Sequence, residues 1–145
     1  MIRPVLAVAA VAFGVTAVIA ASDPITTRQE LMKANGREAK AGAAMAKGEA
    51  PFDLGKAKAI FTTFADSAAK MPALFPENSK TGHDTTVSPK VWENMSDVKA
   101  RFQKFEEDAR KAAAATKDLE TFKVNFQSVG KSCGGCHEIY RIKKS

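Results

Sequence analysis

The residues best suited to chemistry lie in "GKSCGGCHEIYRIKKS", Gly130 to Ser145. Cys133 and Cys136 are the only two cysteines in the chain, and His137 is one of only two histidines. Three chemistries use two cysteines at this spacing. A redox dithiol wants an activated thiolate at a helix N-terminus, usually in a βαβ setting. A structural zinc ion wants four ligands. Cys133, Cys136 and His137 supply three, and the other histidine, His83, is far off in a Gly- and Pro-containing loop. A porphyrin wants two thioethers and one axial imidazole. On a helix, residues three apart share a face, so Cys133 and Cys136 can hold two vinyl groups of one porphyrin edge. His137, four on from Cys133, can reach the iron from the same side. C-x-x-C-H therefore reads as attachment of one haem c through two thioethers.

Such a motif needs a scaffold, and the scaffold reads as helical. The chain is 145 residues long, enough for one domain with a core. It is rich in Ala, modest in Gly and Pro, and shows no strand-like alternation. The first stretch, "MIRPVLAVAAVAFGVTAVIAASDP", has an early Arg3, an apolar run from Val5 to Ile19 and an exit at Val18-Ile19-Ala20. That is the form of a secretory signal peptide, residues 1–20, cleaved to leave a domain of residues 21–145. A transmembrane anchor is the rival reading, but the run falls short of the roughly twenty residues a span needs. The expected localisation is a bacterial periplasm, with no membrane segment after cleavage.

Formal net charge is +6. The excess is spread along the chain, with a small concentration in "RIKKS". No basic helix face with aromatic platforms is present, so no nucleic-acid partner is expected. The basic end reads as a solvated surface, with docking of an acidic redox partner as the functional reading.

Four amphipathic segments follow. The first runs from about Pro24 to Lys47, with Asp23 as cap and a stripe of Ile25, Met32, Gly36, Ala39, Ala43 and Ala46. The second runs from about Asp53 to Lys70, on Leu54, Ala57, Phe61, Phe64, Ala68 and Met71. A loop over residues 71–89 holds Pro72, Pro76, Gly82 and Pro89; its length marks it as functional or disordered. The third helix spans about Pro89 to Thr116 on Trp92, Met95, Val98, Phe102, Phe105, Ala109 and Ala112. The fourth carries Leu119, Phe122, Phe126 and Val129, and its seam continues through Cys133, Cys136 and Tyr140, so both thiols are predicted to face the interior. The fold class is all-α, an antiparallel up-down-up-down four-helix bundle with covalent haem c.

"RQELMKANGR", "KGEAPFD", "ALFPENSKTGHD", "PKVWEN" and "SCGGCHEIYR" together resemble the class II cytochromes c, the cytochrome c′ and cytochrome c-556 family. The likeness covers essentially the whole chain after residue 20. Cytochrome c′ is itself a standing example of the up-down-up-down bundle. The resemblance implies thioethers at Cys133 and Cys136 and proximal ligation by His137. It places Met32 on the distal side, Arg28 against a haem propionate, Gln29, Asp84 and Thr85 along the haem edge, and Arg141 near the proximal imidazole. In the c-556 type a methionine near Met32 ligates the iron, which is then six-coordinate, low-spin and used for electron transfer. In the c′ type an apolar residue caps a five-coordinate iron able to bind nitric oxide or another small gas.

"LMKANGR" resembles the c-556 pattern, and "SKTGHDTTVSPKVW" resembles c′ sequences at least as well. Beside Gly36 and Ala39, Met32 is the long side chain of its stripe. The expectation is therefore a periplasmic electron carrier with His137 and Met32 as metal ligands, and gas binding as the alternative. Redox partner proteins are implied, and a homodimer through the first two helices is an arrangement known in the family. No enzyme is expected, since apart from Arg28 no His or acid of the first helix is placed for distal proton transfer. Met45, Met71 and Met95 read as core, Trp92 as an anchor of the third helix, and His83 as solvated.

Overall fold

The computed structural model describes residues 23–143. The signal-peptide reading of residues 1–20 lies outside the described residues. Helix α1 spans Pro24–Lys47, α2 Leu54–Lys70, α3 Lys90–Glu93, α4 Met95–Ala115 and α5 Leu119–Tyr140. The four long helices form the up-down-up-down bundle, and α3 is a one-turn lead-in to α4. Among the described residues no helix is long and apolar enough to cross a membrane.

The helix starts follow from local chemistry. Asp23 accepts the Thr26 N–H at 2.7 Å, and Asp53 accepts the Lys56 N–H at 2.7 Å. Asp118 and Thr121 form a reciprocal capping box at the head of α5. Gly48, with φ of 78°, ends α1 in the left-handed conformation that glycine adopts without strain.

One helix expected over residues 89–116 is two. At Asn94 the backbone turns to φ −128° and ψ 39°. The Asn94 side-chain amide donates to the Lys90 carbonyl at 3.2 Å, and the Asn94 backbone carbonyl accepts from Val98 N–H at 3.1 Å. Asparagine competes for backbone groups in this way, so α3 ends where α4 begins.

The core is Phe-rich and centred on α2, which shares its largest interface with α4. Phe61 and Phe122 are fully buried, 5.7 Å apart by ring centroids, and Phe122 meets Phe126 at 5.3 Å. Phe64 packs on Phe105 at 5.9 Å. The expected stripe of α2 is buried except Leu54, which is exposed at the helix end. That of α4 is buried from Val98 to Ala112, with Trp92 and Met95 packed partly buried against it.

The stripe of α1 differs from expectation. Its buried residues are Ile25, Arg28, Gly42 and Met45, whereas Met32 and Gly36 are exposed. The cause is one close approach: a Cβ on Gly42 would come within 2.3 Å of the Phe126 ring. Residue 42 therefore faces α5 and rotates the contact face by about one position from the Ala43–Ala46 row.

The segment over residues 71–89 is ordered by two 3-10 turns, Met71–Leu74 and Glu77–Ser79. It is also joined to the end of α5 by an antiparallel bridge between Val87 and Arg141. His83 and Asp84 both take positive φ, 46° and 53°, after Gly82 at 111°.

Candidate haem site

Cys133, Cys136 and His137 all lie on the last two turns of α5. The expectation that both thiols face the interior needs correction. Cys133 is exposed, Cys136 is half-buried against the core, and Val129 and Tyr140 are the buried residues on either side. The glycines around the motif leave open space beside it. A Cβ on Gly130, Gly134 or Gly135 would meet nothing within 4 Å, nor would one on Gly36 of α1. The close approach of α1 to α5 is at Gly42 and Phe126, two turns before Cys133.

The Cys136 thiol is pushed up by burial, which the nearby Arg101 guanidinium only partly offsets. An activated thiolate of the dithiol kind is therefore missing at Cys136. Among the described residues no group of three or more His, Cys, Asp or Glu side chains is arranged to hold a metal ion. A bare zinc ion thus has no ligand set here. Burial, and secondarily the charge of Arg141, pushes the His137 imidazole down, which favours the neutral form a metal ligand needs.

The other predicted residues occupy α1, the loop over residues 71–89 and the chain just past α5. Met32 is 36% exposed on α1. Arg28, one turn earlier, is buried, and its guanidinium is held by the loop. It donates to the Leu74 carbonyl, to Ser79 Oγ at 2.8 Å and to the Ser79 carbonyl at 2.9 Å. It also lies 4.8 Å from the Phe75 ring centroid, a cation–π distance. Of the guanidinium nitrogens, Nε is buried with no hydrogen-bond partner.

Gln29 Nε2 donates to the His83 carbonyl at 2.6 Å, beside Asp84 and Thr85. Thr85 N–H donates to the Gly82 carbonyl at 3.0 Å, closing that turn, and Asp84 is exposed on it. Arg141 is exposed, and its N–H donates to the His137 carbonyl at 3.2 Å. Gln29, Asp84 and Thr85 are thus neighbours, while Arg141 belongs to the α5 end.

Sequence reasoning missed Ser79, Phe75 and the Leu74 carbonyl as partners of Arg28. No pattern in the loop marks them. It also passed over Asp97 and Arg101, whose side chains meet Tyr140 beside the motif, although an Asp–Arg pair four apart is a legible signal.

The residues fit a porphyrin held by thioethers. Two sulfurs and one imidazole share the end of one helix, flanked by glycines on which an added Cβ would meet nothing within 4 Å, so the motif has room for a planar group. These features define a four-helix-bundle protein with covalent haem near the end of its last helix. The sequence pattern of the family described as Cytochrome C′ matches residues 23–141.

Among relatives, the cytochrome c′ of Rhodopseudomonas palustris is 39% identical over 127 residues, covering 88% of this chain and 87% of its own. The cytochrome c-556 of the same organism is 34% identical over 148 residues, covering 99% of each. A solved structure of the Rhodopseudomonas palustris cytochrome c′ superposes with a TM-score of 0.82 at 39% identity, covering 86% of this chain and all of that one. The chain belongs to the class II cytochromes c, the cytochrome c′ and c-556 family, and its cofactor is haem c.

Proposed function

We propose that this protein is a periplasmic electron carrier in which His137 and Met32 would ligate the haem iron, with Cys133 and Cys136 as the thioether links. Met32 carries this reading. The natural alternative for a methionine is to fill a gap in the core. Met45 and Met71 do so at 4% and 1% exposure, and Met95 packs against the core. Met32, at 36% exposure, is the described methionine that finds no place there. Its soft thioether is a ligand that favours Fe(II) and raises a reduction potential.

The bound haem supplies one-electron exchange at its iron. This chain's part is to present a neutral imidazole from α5 and a thioether from α1, on helices whose contact is fixed at Gly42 and Phe126. Arg28 holds the adjoining loop to α1, and no bond chemistry on a substrate is required of any side chain. Export through residues 1–20 and exchange with redox partner proteins complete the reading.

The test is the ferric optical spectrum of the holoprotein. A low-spin spectrum with a methionine–iron charge-transfer band, lost in Met32→Ala, is expected. A high-spin wild-type spectrum with nitric oxide binding would replace this reading with the gas-binding one.

A further inference from the structure

Tyr140 closes α5 three residues after His137. Its ring is buried, at 7% exposure, and its hydroxyl donates to Asp97 Oδ2 at 2.5 Å. The same oxygen accepts from Arg101 Nε at 2.6 Å, and the Arg101 guanidinium lies 5.8 Å from the Tyr140 ring centroid. The backbone of this turn is held from a second side. The Tyr140 carbonyl accepts from Ser88 N–H at 2.9 Å, and Ile142 N–H donates to the Thr86 carbonyl at 2.8 Å.

Packing alone does not require the hydroxyl, since a phenylalanine would fill the same volume. Nor does an exposed Asp–Arg pair on one helix contribute much to stability by itself. A directional bond does what packing cannot: it fixes the rotation of the last turn about the helix axis. That turn needs an outside anchor. Gly134 and Gly135 directly precede Cys136, and glycine is a poor helix former compared with alanine.

The electrostatics agree. The Tyr140 hydroxyl, and then Arg101, hold the Asp97 carboxyl below its usual range, while the Asp97 carboxylate pushes the Tyr140 phenol up, so the phenol stays a donor. Asp97 and Arg101 are both close enough to act on the Cys136 thiol.

We propose that Tyr140, Asp97 and Arg101 are positioning residues that orient the His137 imidazole by anchoring the final turn of α5 to α4. The inference rests on His137 as proximal ligand and is independent of Met32. It is therefore tested in Met32→Ala holoprotein, where methionine ligation is removed. Resonance Raman of the reduced protein reads the iron–imidazole stretching band, and thermal unfolding is followed alongside.

Tyr140→Phe is expected to shift and broaden that band. Asp97→Asn should do the same, and the double variant no more than either. A sharp, unmoved band in both variants overturns the inference whatever happens to the thermal midpoint. Additive effects in the double variant also overturn it. Absence of the band in a parent whose reduced optical spectrum is five-coordinate overturns the His137 assignment, and the inference with it.

Discussion

Arg28 grips Ser79 with both terminal nitrogens of its guanidinium, Nη1 to the hydroxyl at 2.8 Å and Nη2 to the carbonyl at 2.9 Å. The two residues are 51 apart in sequence, and both are buried. This fork joins the loop to α1 one turn before Met32.

Removing the fork should cost folding stability. Arg28→Met leaves the part-buried Leu74 carbonyl and the buried Ser79 carbonyl without this donor and is expected to lose about 2–4 kcal/mol. Arg28→Lys should recover less than half, because a single ammonium cannot reproduce a planar fork. Urea denaturation of the holoprotein measures both, and an unchanged midpoint in Arg28→Met would show the fork to be idle.

Gly42 sets how closely α1 and α5 approach. Gly42→Ala places a methyl 2.3 Å from the Phe126 ring, which is itself packed on Phe61 and Phe122. A loss of about 1–3 kcal/mol is expected from overpacking. Restored stability in Gly42→Ala combined with Phe126→Leu would trace the loss to this contact, and failure to restore it would place the cause elsewhere.

Two methionines should separate cleanly. Met71→Ala, at a site 1% exposed, is expected to cost about 2–5 kcal/mol and leave the haem spectrum unaltered. Met32→Ala should change the spectrum. Spectral change in the Met71 variant would mean that the core and the iron site are not separate.

The acid limb of stability has a definite sign. Hydrogen bonds from Thr121 hold the Asp118 carboxyl below its ordinary value of 3.8. A carboxyl lowered by folding contributes above the unfolded value, and that contribution fades as pH falls through the folded one. Asp118→Asn keeps an N-cap and removes the titration. Stability of this variant should fall less steeply than wild type below about pH 4, read as denaturation midpoints across pH. Parallel curves would remove Asp118 from the account.

The helices were legible because their apolar periods and caps are local: Asp23 caps the first helix as expected, and the second starts beside Asp53. Cys133, Cys136 and His137 stood out because their meaning lies in spacing alone. What stayed hidden depends on contacts between distant segments. The rotated face of α1 is decided by Phe126, a residue of α5. The order of the loop is decided by Arg28 and by the Val87–Arg141 bridge. The break at Asn94 was local, but the apolar row running through it masked one competing side chain.

Trp92 is the one tryptophan of the chain. Its indole N–H donates to the Phe75 carbonyl at 3.0 Å, its ring meets Phe75 edge-on at 5.9 Å, and Arg28 and Lys80 lie 5.9 and 5.8 Å from it. Ultraviolet emission therefore arises from a single known spot, where α1, the loop and α3 converge. A porphyrin is an efficient acceptor of that light, with a steep dependence on separation. The polypeptide thus carries its own unlabelled ruler: brightening of the indole would report any lengthening of the distance between Trp92 and the porphyrin.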